Sequence, residues 1–79
     1  MSIAIEKNIP KTKDLKIGMK FLNFKSNATL TIEATRGDGI ETEFIVKREL
    51  DGVGGMRTFE PQRLHAMLIM NSWQYLGEL

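Results

Sequence analysis

The sequence contains no cysteine, so it can form neither a disulfide nor a thiolate-bound zinc site. It has a single histidine, His65, and its carboxylates are not spaced as a metal site. No stretch reaches the roughly 18 apolar residues that a membrane-spanning helix needs. Residues 1–7 lack the charged start and long apolar run of a signal peptide. We therefore expect a cytoplasmic protein for which no metal, cofactor, membrane or small-molecule substrate is indicated.

The length of 79 residues is enough for one domain and not for two. Domains of this size bury only roughly 60–65% of the surface that their unfolded chains expose, so their stability is small. Without a disulfide or a metal, association is the remaining stabilising device. We therefore expect a protein partner or a second copy of the chain, as in a homodimer.

Apolar residues at period two predict an antiparallel β-meander, because the connections are too short for parallel crossovers. Turn residues, among them a glycine-rich loop predicted over 51–55, separate the strands. The strands predicted before the helix span residues 15–24, 29–35, 41–48 and 56–59. The predicted fold class is mainly β (α+β), a small antiparallel meander sheet or SH3-like half-barrel with one short helix near the C-terminus. An OB-like barrel is the alternative.

A helix is predicted over residues 60–71, because Pro61 suits the first helical position. Phe59 and Leu64 have the spacing of a hydrophobic staple around it. A closing strand follows, although a hairpin over residues 64–76 is the competing interpretation.

Residues 1–14 are interpreted as an N-terminal arm, and residues 15–79 as one compact domain. In the arm, Ile3 and Ile5 alternate with polar residues as in a short edge strand. Leu15, Ile17, Met19 and Phe21 are predicted to share the inward face of the first strand. The predicted core comprises Leu30, Ile32, Phe44, Val46, Leu68 and Trp73.

Catalysis is not expected from this sequence. No serine lies in a nucleophile-elbow pattern, and His65 falls in the predicted helix. Glu41 and Glu43 lie two apart on a predicted strand, where a solvated face explains them. We therefore predict a binding protein that is not an enzyme and has no catalytic residues.

The predicted helix carries five consecutive apolar residues, 66–70, which surround it because each residue advances about 100°. A small sheet can cover only one side of such a helix, so the other side predicts an interface. Phe24, out of phase with its strand, is a further exposed candidate. The predicted partner-binding residues are Phe24, Met67, Ile69 and Met70.

Charge is distributed unevenly along the chain. Six lysines and two acids give residues 1–25 a charge of +4, whereas residues 26–60 carry −3. A basic first third can bind an anionic partner. Nucleic-acid binding is therefore the alternative function, with Lys11, Lys13, Lys16, Lys20 and Lys25 as its candidate residues.

The segment Ile17-Gly18-Met19-Lys20-Phe21, the Gly37-Asp38-Gly39 turn and Trp73 before a short last strand have a recognisable layout. It resembles small accessory proteins of phages and other mobile elements, many of which are SH3-like barrels. The resemblance covers residues 15–79 in general plan. It implies a non-catalytic protein that binds a host protein or nucleic acid, in some cases as an inhibitor of a host machine.

Overall fold

The structure is a computed structural model that describes residues 9–70 and 72–78. Short 3-10 turns lie at Thr12–Asp14 and Gly39–Glu41. The main elements in chain order are β1 (Met19–Asn23), β2 (Thr29–Arg36), β3 (Glu43–Leu50), β4 (Val53–Phe59), α1 (Pro61–Ile69) and β5 (Trp73–Glu78). The prediction of a mainly β fold with a short helix near the C-terminus is confirmed.

The strands form one antiparallel sheet in the order β4-β3-β2-β1-β5. Strands β1 to β4 meander, and α1 then connects β4 at one edge to β5 at the other. The sheet does not close, so β4 and β5 are its two edges. Of the forms expected from the sequence, the open meander sheet is the one that the chain adopts.

The core lies on one face of the sheet, beneath α1. Phe21 packs against two aromatic side chains of β5 in tilted geometry, with ring centroids 5.8 Å from Trp73 and 5.7 Å from Tyr75. Phe59, at the end of β4, meets Trp73 edge-on at 5.2 Å, so the ends of the two edge strands approach across this face. The buried core residues are Leu15, Met19, Phe21, Leu30, Ile32, Phe44, Val46, Leu64, Leu68 and Trp73. All six residues predicted for the core are among them.

The first strand is shorter than predicted, and one of its inward residues is misassigned. β1 begins at Met19, and Ile17 is 56% exposed. The chain turns at residues 17–18, where Gly18 has φ +98° and its N–H donates to the Ile32 carbonyl at 2.9 Å. This turn interrupts the period-two alternation. Leu15 is buried as predicted, but it reaches the core from outside the strand.

The glycine-rich turn predicted over 51–55 is present but shorter than predicted, since β4 begins at Val53. Asp51 and Gly52 alone make the turn, with φ of 52° and 81°. Two positive φ values define a type I′ hairpin turn, whose twist matches that of the flanking strands. Gly54 and Gly55 therefore continue into paired strand despite their low strand propensity.

The alternative interpretation, a hairpin over residues 64–76, is wrong because residues 61–69 are α-helical. Glu60 is the residue before the first turn, and its carbonyl accepts from the Leu64 N–H at 3.0 Å. The helix ends at Ile69, earlier than predicted. The suggested strand around Ile3 and Ile5 lies outside the described residues, whereas Ile9 packs against the core.

Candidate functional site

The most exposed regular element of the sheet is β4. Six of its seven residues are exposed, and only Phe59 is half-buried. Val53 is 72% exposed and Met56 is 62% exposed, although both are large apolar side chains. From residue 53 to 58 the described elements leave the side chains of both faces exposed.

The hairpin turn determines which main-chain groups of β4 are free. In a two-residue turn, the residues that flank it exchange hydrogen bonds, so Leu50 and Val53 form a hydrogen-bonded pair. Hydrogen-bonded and non-hydrogen-bonded pairs alternate along an antiparallel ladder. Gly54, Met56 and Thr58 therefore direct their N–H and C=O groups away from β3. The outer edge of β4 thus presents three donors and three acceptors.

The side chains of β4 leave room for another backbone. Gly54 and Gly55 lie side by side in extended conformation, and the space at the Cβ position of Gly55 is open to beyond 4 Å. Glycine inside a strand is typical of a close approach by another chain or ligand. The register of β4 with β3 runs without a shift from Leu50–Val53 to Phe44–Phe59. The edge is therefore regular as well as exposed.

Two arginines flank these glycines on the face that carries the core. Arg48 is the β3 partner of Gly55, and Arg57 is the β4 partner of the buried Val46. Neither arginine takes part in the ion pairs found within the described ranges. Those ion pairs are Lys16–Glu78 at 3.1 Å, Arg36–Glu43 at 3.0 Å and Lys47–Glu49 at 3.2 Å. This part of the face is therefore positively charged.

The candidate residues of the helix lie at a different place. Ile69 is 56% exposed and Met70 is 70% exposed, whereas Met67 is half-buried and packs against the core. Phe24 is 57% exposed, and its N–H donates to the Ser72 carbonyl at 3.1 Å, just beyond the helix. The structure therefore brings Phe24, Ile69 and Met70 to one end of the molecule, which we call the helix-end surface. Met67 adjoins this surface, since its carbonyl accepts from the Ser72 N–H at 2.9 Å, but its side chain is half-buried and packs against the core.

The five candidate lysines are distributed over the molecule. Lys11 and Lys13 lie at the first 3-10 turn, and Lys16 is paired with Glu78. Lys20 lies within β1, paired with Thr31 and Gly77, and Lys25 lies in the turn after β1. β1 alone spans about 17 Å, so Lys16 and Lys25 are at opposite ends of a strand. The structure does not gather these five residues into one patch.

The remaining polar residues considered in the sequence analysis, His65, Glu41 and Glu43, lie in separate parts of the fold. His65 is half-buried in α1. The expectation that Glu41 and Glu43 share a strand face is wrong, because Glu41 ends a 3-10 turn and Glu43 pairs with Arg36. The described residues contain no group of three or more His, Asp or Glu side chains arranged to hold a metal ion. Within the same residues, no helix has the length and apolarity to cross a membrane.

Sequence reasoning missed β4 as a candidate surface, although a signal for it exists. Asp-Gly between apolar residues, here Leu50 and Val53, is typical of a two-residue hairpin. Placing the turn at Asp51-Gly52 puts Gly54 and Gly55 in the following strand. Only the sheet order then shows that this strand is an edge.

Comparisons of the chain with models of protein families, with curated proteins and with solved structures found no match. Neither a family nor a relative therefore assigns a function, and the geometry of β4 and of the helix-end surface is what distinguishes this molecule.

Proposed function

We propose that this protein is a small non-catalytic protein-binding module that takes an extended segment of a protein partner at the outer edge of β4. The observation that carries the proposal is the row of main-chain groups at Gly54, Met56 and Thr58, which β3 does not satisfy. Unpaired edge groups are a template for another strand. Adding a strand would extend the sheet from five strands to six.

Strand addition divides affinity and specificity between backbone and side chains. Each main-chain hydrogen bond contributes about 0.5–1.5 kcal/mol net, independently of the partner's sequence. Specificity comes from alternate side chains of the added strand. On one face these would meet Met56, and on the other Val53 and Arg57. An extended partner segment with apolar residues at alternate positions fits this edge.

The class of partner to test first follows from the resemblance to phage accessory proteins. That layout favours a host protein as target and inhibition of a host machine as outcome. The helix-end surface of Phe24, Ile69 and Met70 is the second candidate contact, since its apolar residues are more than half exposed. A protein partner is favoured over nucleic acid because the five candidate lysines do not form one patch.

The proposal is tested with a displayed library of random linear peptides, selected on the wild-type protein. Selected peptides should bind the wild type and Met56→Ala, which keeps the outward N–H. They should lose about two- to tenfold in affinity for Met56→Pro, because proline removes that donor and its hydrogen bond of about 0.5–1.5 kcal/mol. Proline is tolerated at this position of an edge strand because the N–H faces solvent. Thermal unfolding of Met56→Pro verifies that the fold is retained.

A helix-end control distinguishes the two surfaces. Ile69→Asp changes an exposed residue remote in sequence from β4 and should leave peptide binding unchanged. If the selected peptides bind Met56→Pro normally but do not bind Ile69→Asp, that result would contradict strand addition and assign binding to the helix-end surface.

A further inference from the structure

We infer that the strand received by β4 is β4 of a second copy of this chain, so that two sheets join into a continuous ten-stranded sheet. The inference rests on the proposed function: it assigns the edge in the isolated protein to a second copy, which a segment of a host protein would have to displace. It follows from the self-complementarity of β4 under a two-fold axis that passes beside Met56.

Main-chain pairing selects this register. Met56 is the central residue of β4, and it is also the middle one of the three residues whose main-chain groups face outward. With the two-fold axis at Met56, the two Met56 residues face each other, and Gly54 of each copy faces Thr58 of the other. All three are hydrogen-bonded pairs of the new ladder, so six hydrogen bonds form. A two-fold axis at Gly55 would instead pair only residues 53–57 and form four.

The side chains fit the same register. Val53 of each copy faces Phe59 of the other, on the face that carries the core. Leu50 lies next to Val53 on that face, so a small apolar cluster forms at each end of the joint. This cluster covers a valine that is 72% exposed in the single chain. Cross-strand pairs of an aromatic and a β-branched residue are among the stabilising pairs of antiparallel sheets.

In this register Gly55 of each copy lies opposite Arg57 of the other. The two residues form a non-hydrogen-bonded pair, the closer of the two pair types. The space at the Cβ position of Gly55 is open, so the stem of the arginine has room to cross it. A side chain at Gly55 would compete for that space.

Charge opposes the register in part. The two Arg57 residues are diagonal neighbours at roughly 7–8 Å, which is within the Debye length of about 8–10 Å at physiological salt, so their repulsion is only partly screened. No carboxylate lies within residues 53–59, so no acidic pair is brought together. Added salt should therefore maintain or strengthen the association, whereas binding to a polyanion weakens steeply with salt.

A joint of two seven-residue strands is smaller than a standard interface of about 800 Å² per partner. We therefore expect a reversible dimer with a dissociation constant in the micromolar range. Sedimentation equilibrium over a wide concentration range should show wild type and Met56→Ala as monomer and dimer in exchange. Met56→Pro should remain a folded monomer, and Ile69→Asp should dimerise as the wild type does.

Cysteine substitutions test the register directly, because the natural chain has no thiol. Met56→Cys places two thiols opposite each other, at a Cα distance of about 5.5 Å. Thr58→Cys, also exposed and on the same face, places them about 13 Å apart along the strands. A short bis-maleimide should crosslink Met56→Cys at least about tenfold faster, and a mixture of Gly54→Cys with Thr58→Cys should give the mixed dimer.

The outcomes separate this inference from the proposed function. A wild type that is monomeric at all concentrations, or equal crosslinking of Met56→Cys and Thr58→Cys, overturns the self-pairing. Peptide binding that still depends on the Met56 N–H would then support strand addition by another protein. A dimer that persists in Met56→Pro and disappears in Ile69→Asp would overturn the self-pairing and assign dimerisation to the helix-end surface.

Discussion

The two edges of the sheet differ in how well they are protected. β5 has a register shift against β1, a positive φ of 107° at Gly77, and a terminal Glu78 that pairs with Lys16. Such irregularity and charge are the devices by which natural sheets discourage edge pairing. β4 has a regular register, no proline, no lysine and two glycines. Within the described residues, β5 therefore carries these protective features and β4 does not.

Helix placement explains much of this difference. α1 is a nine-residue helix whose main contacts are with β5 and with the first 3-10 turn. Its buried residues Leu64 and Leu68 join the core that contains Trp73. Residues 53–58 of β4 remain exposed, and only Phe59 is half-buried.

The largest expected effect separates the covered part of the sheet from the uncovered edge. Leu68→Ala should lower the free energy of unfolding by about 2–5 kcal/mol, because it leaves a cavity in the core. Phe44→Ala should cost a similar amount. Val53→Ala at the open edge should cost less than about 0.5 kcal/mol in the monomer. Urea unfolding at low protein concentration measures all three, and a Val53 effect as large as that of Leu68 would show that β4 is not an uncovered edge.

An intermediate effect is expected from two glycines in different surroundings. Gly37 has φ +82°, and a Cβ there would meet the backbone carbonyl of Glu41. Gly37→Ala should therefore cost about 1–3 kcal/mol through backbone strain and the displaced turn. Gly55→Ala, in open space and extended backbone, should change monomer stability little. Urea unfolding of both variants measures the difference, and a larger loss of stability in Gly55→Ala would show that β4 has a neighbour at Gly55.

A smaller effect is expected at the helix-end surface. Ile69 is 56% exposed, so Ile69→Asp should lower the free energy of unfolding by less than about 1 kcal/mol. Circular dichroism and thermal unfolding measure the change. Loss of the folded monomer would place Ile69 in the core and remove the helix-end surface as a candidate interface.

The smallest effect is expected at the protected edge. Lys16 and Glu78 form their ion pair with both side chains exposed, and such pairs contribute about 0–1 kcal/mol. Glu78→Gln should therefore leave stability almost unchanged while removing a charge from β5. A clear rise in self-association of this variant would show that the charge, rather than the bulge, protects that edge.

Several features of the fold could be predicted from the sequence because they depend on neighbours along the chain. The alternation of Leu30 and Ile32, and of Phe44 and Val46, predicts strands and their buried faces. Pro61 predicts the start of the helix. Ile17 was misassigned because a turn at Gly18 interrupts a pattern that otherwise continues through it. The alternation of apolar residues does not indicate where such a turn occurs.

The candidate surfaces were predicted less well because exposure depends on what else packs nearby. Ile69 and Met70 are exposed, as expected of one side of the apolar run 66–70, but Met67 packs against the core. The candidate lysines of residues 1–25 are close together in sequence, but the fold places them at different parts of the molecule. A cluster in sequence becomes a cluster in space only where the fold brings the segments together.

The sequence by itself determined the strands, the short helix and their buried faces, because propensity and periodicity act between residues a few positions apart. It also determined the Asp51-Gly52 turn, since this dipeptide readily adopts the two positive φ values required. Only the tertiary structure decided that β4 is an edge strand that the other described elements leave exposed from residue 53 to 58. That outcome depends on sheet order and on where α1 packs, which are contacts between residues far apart in the chain.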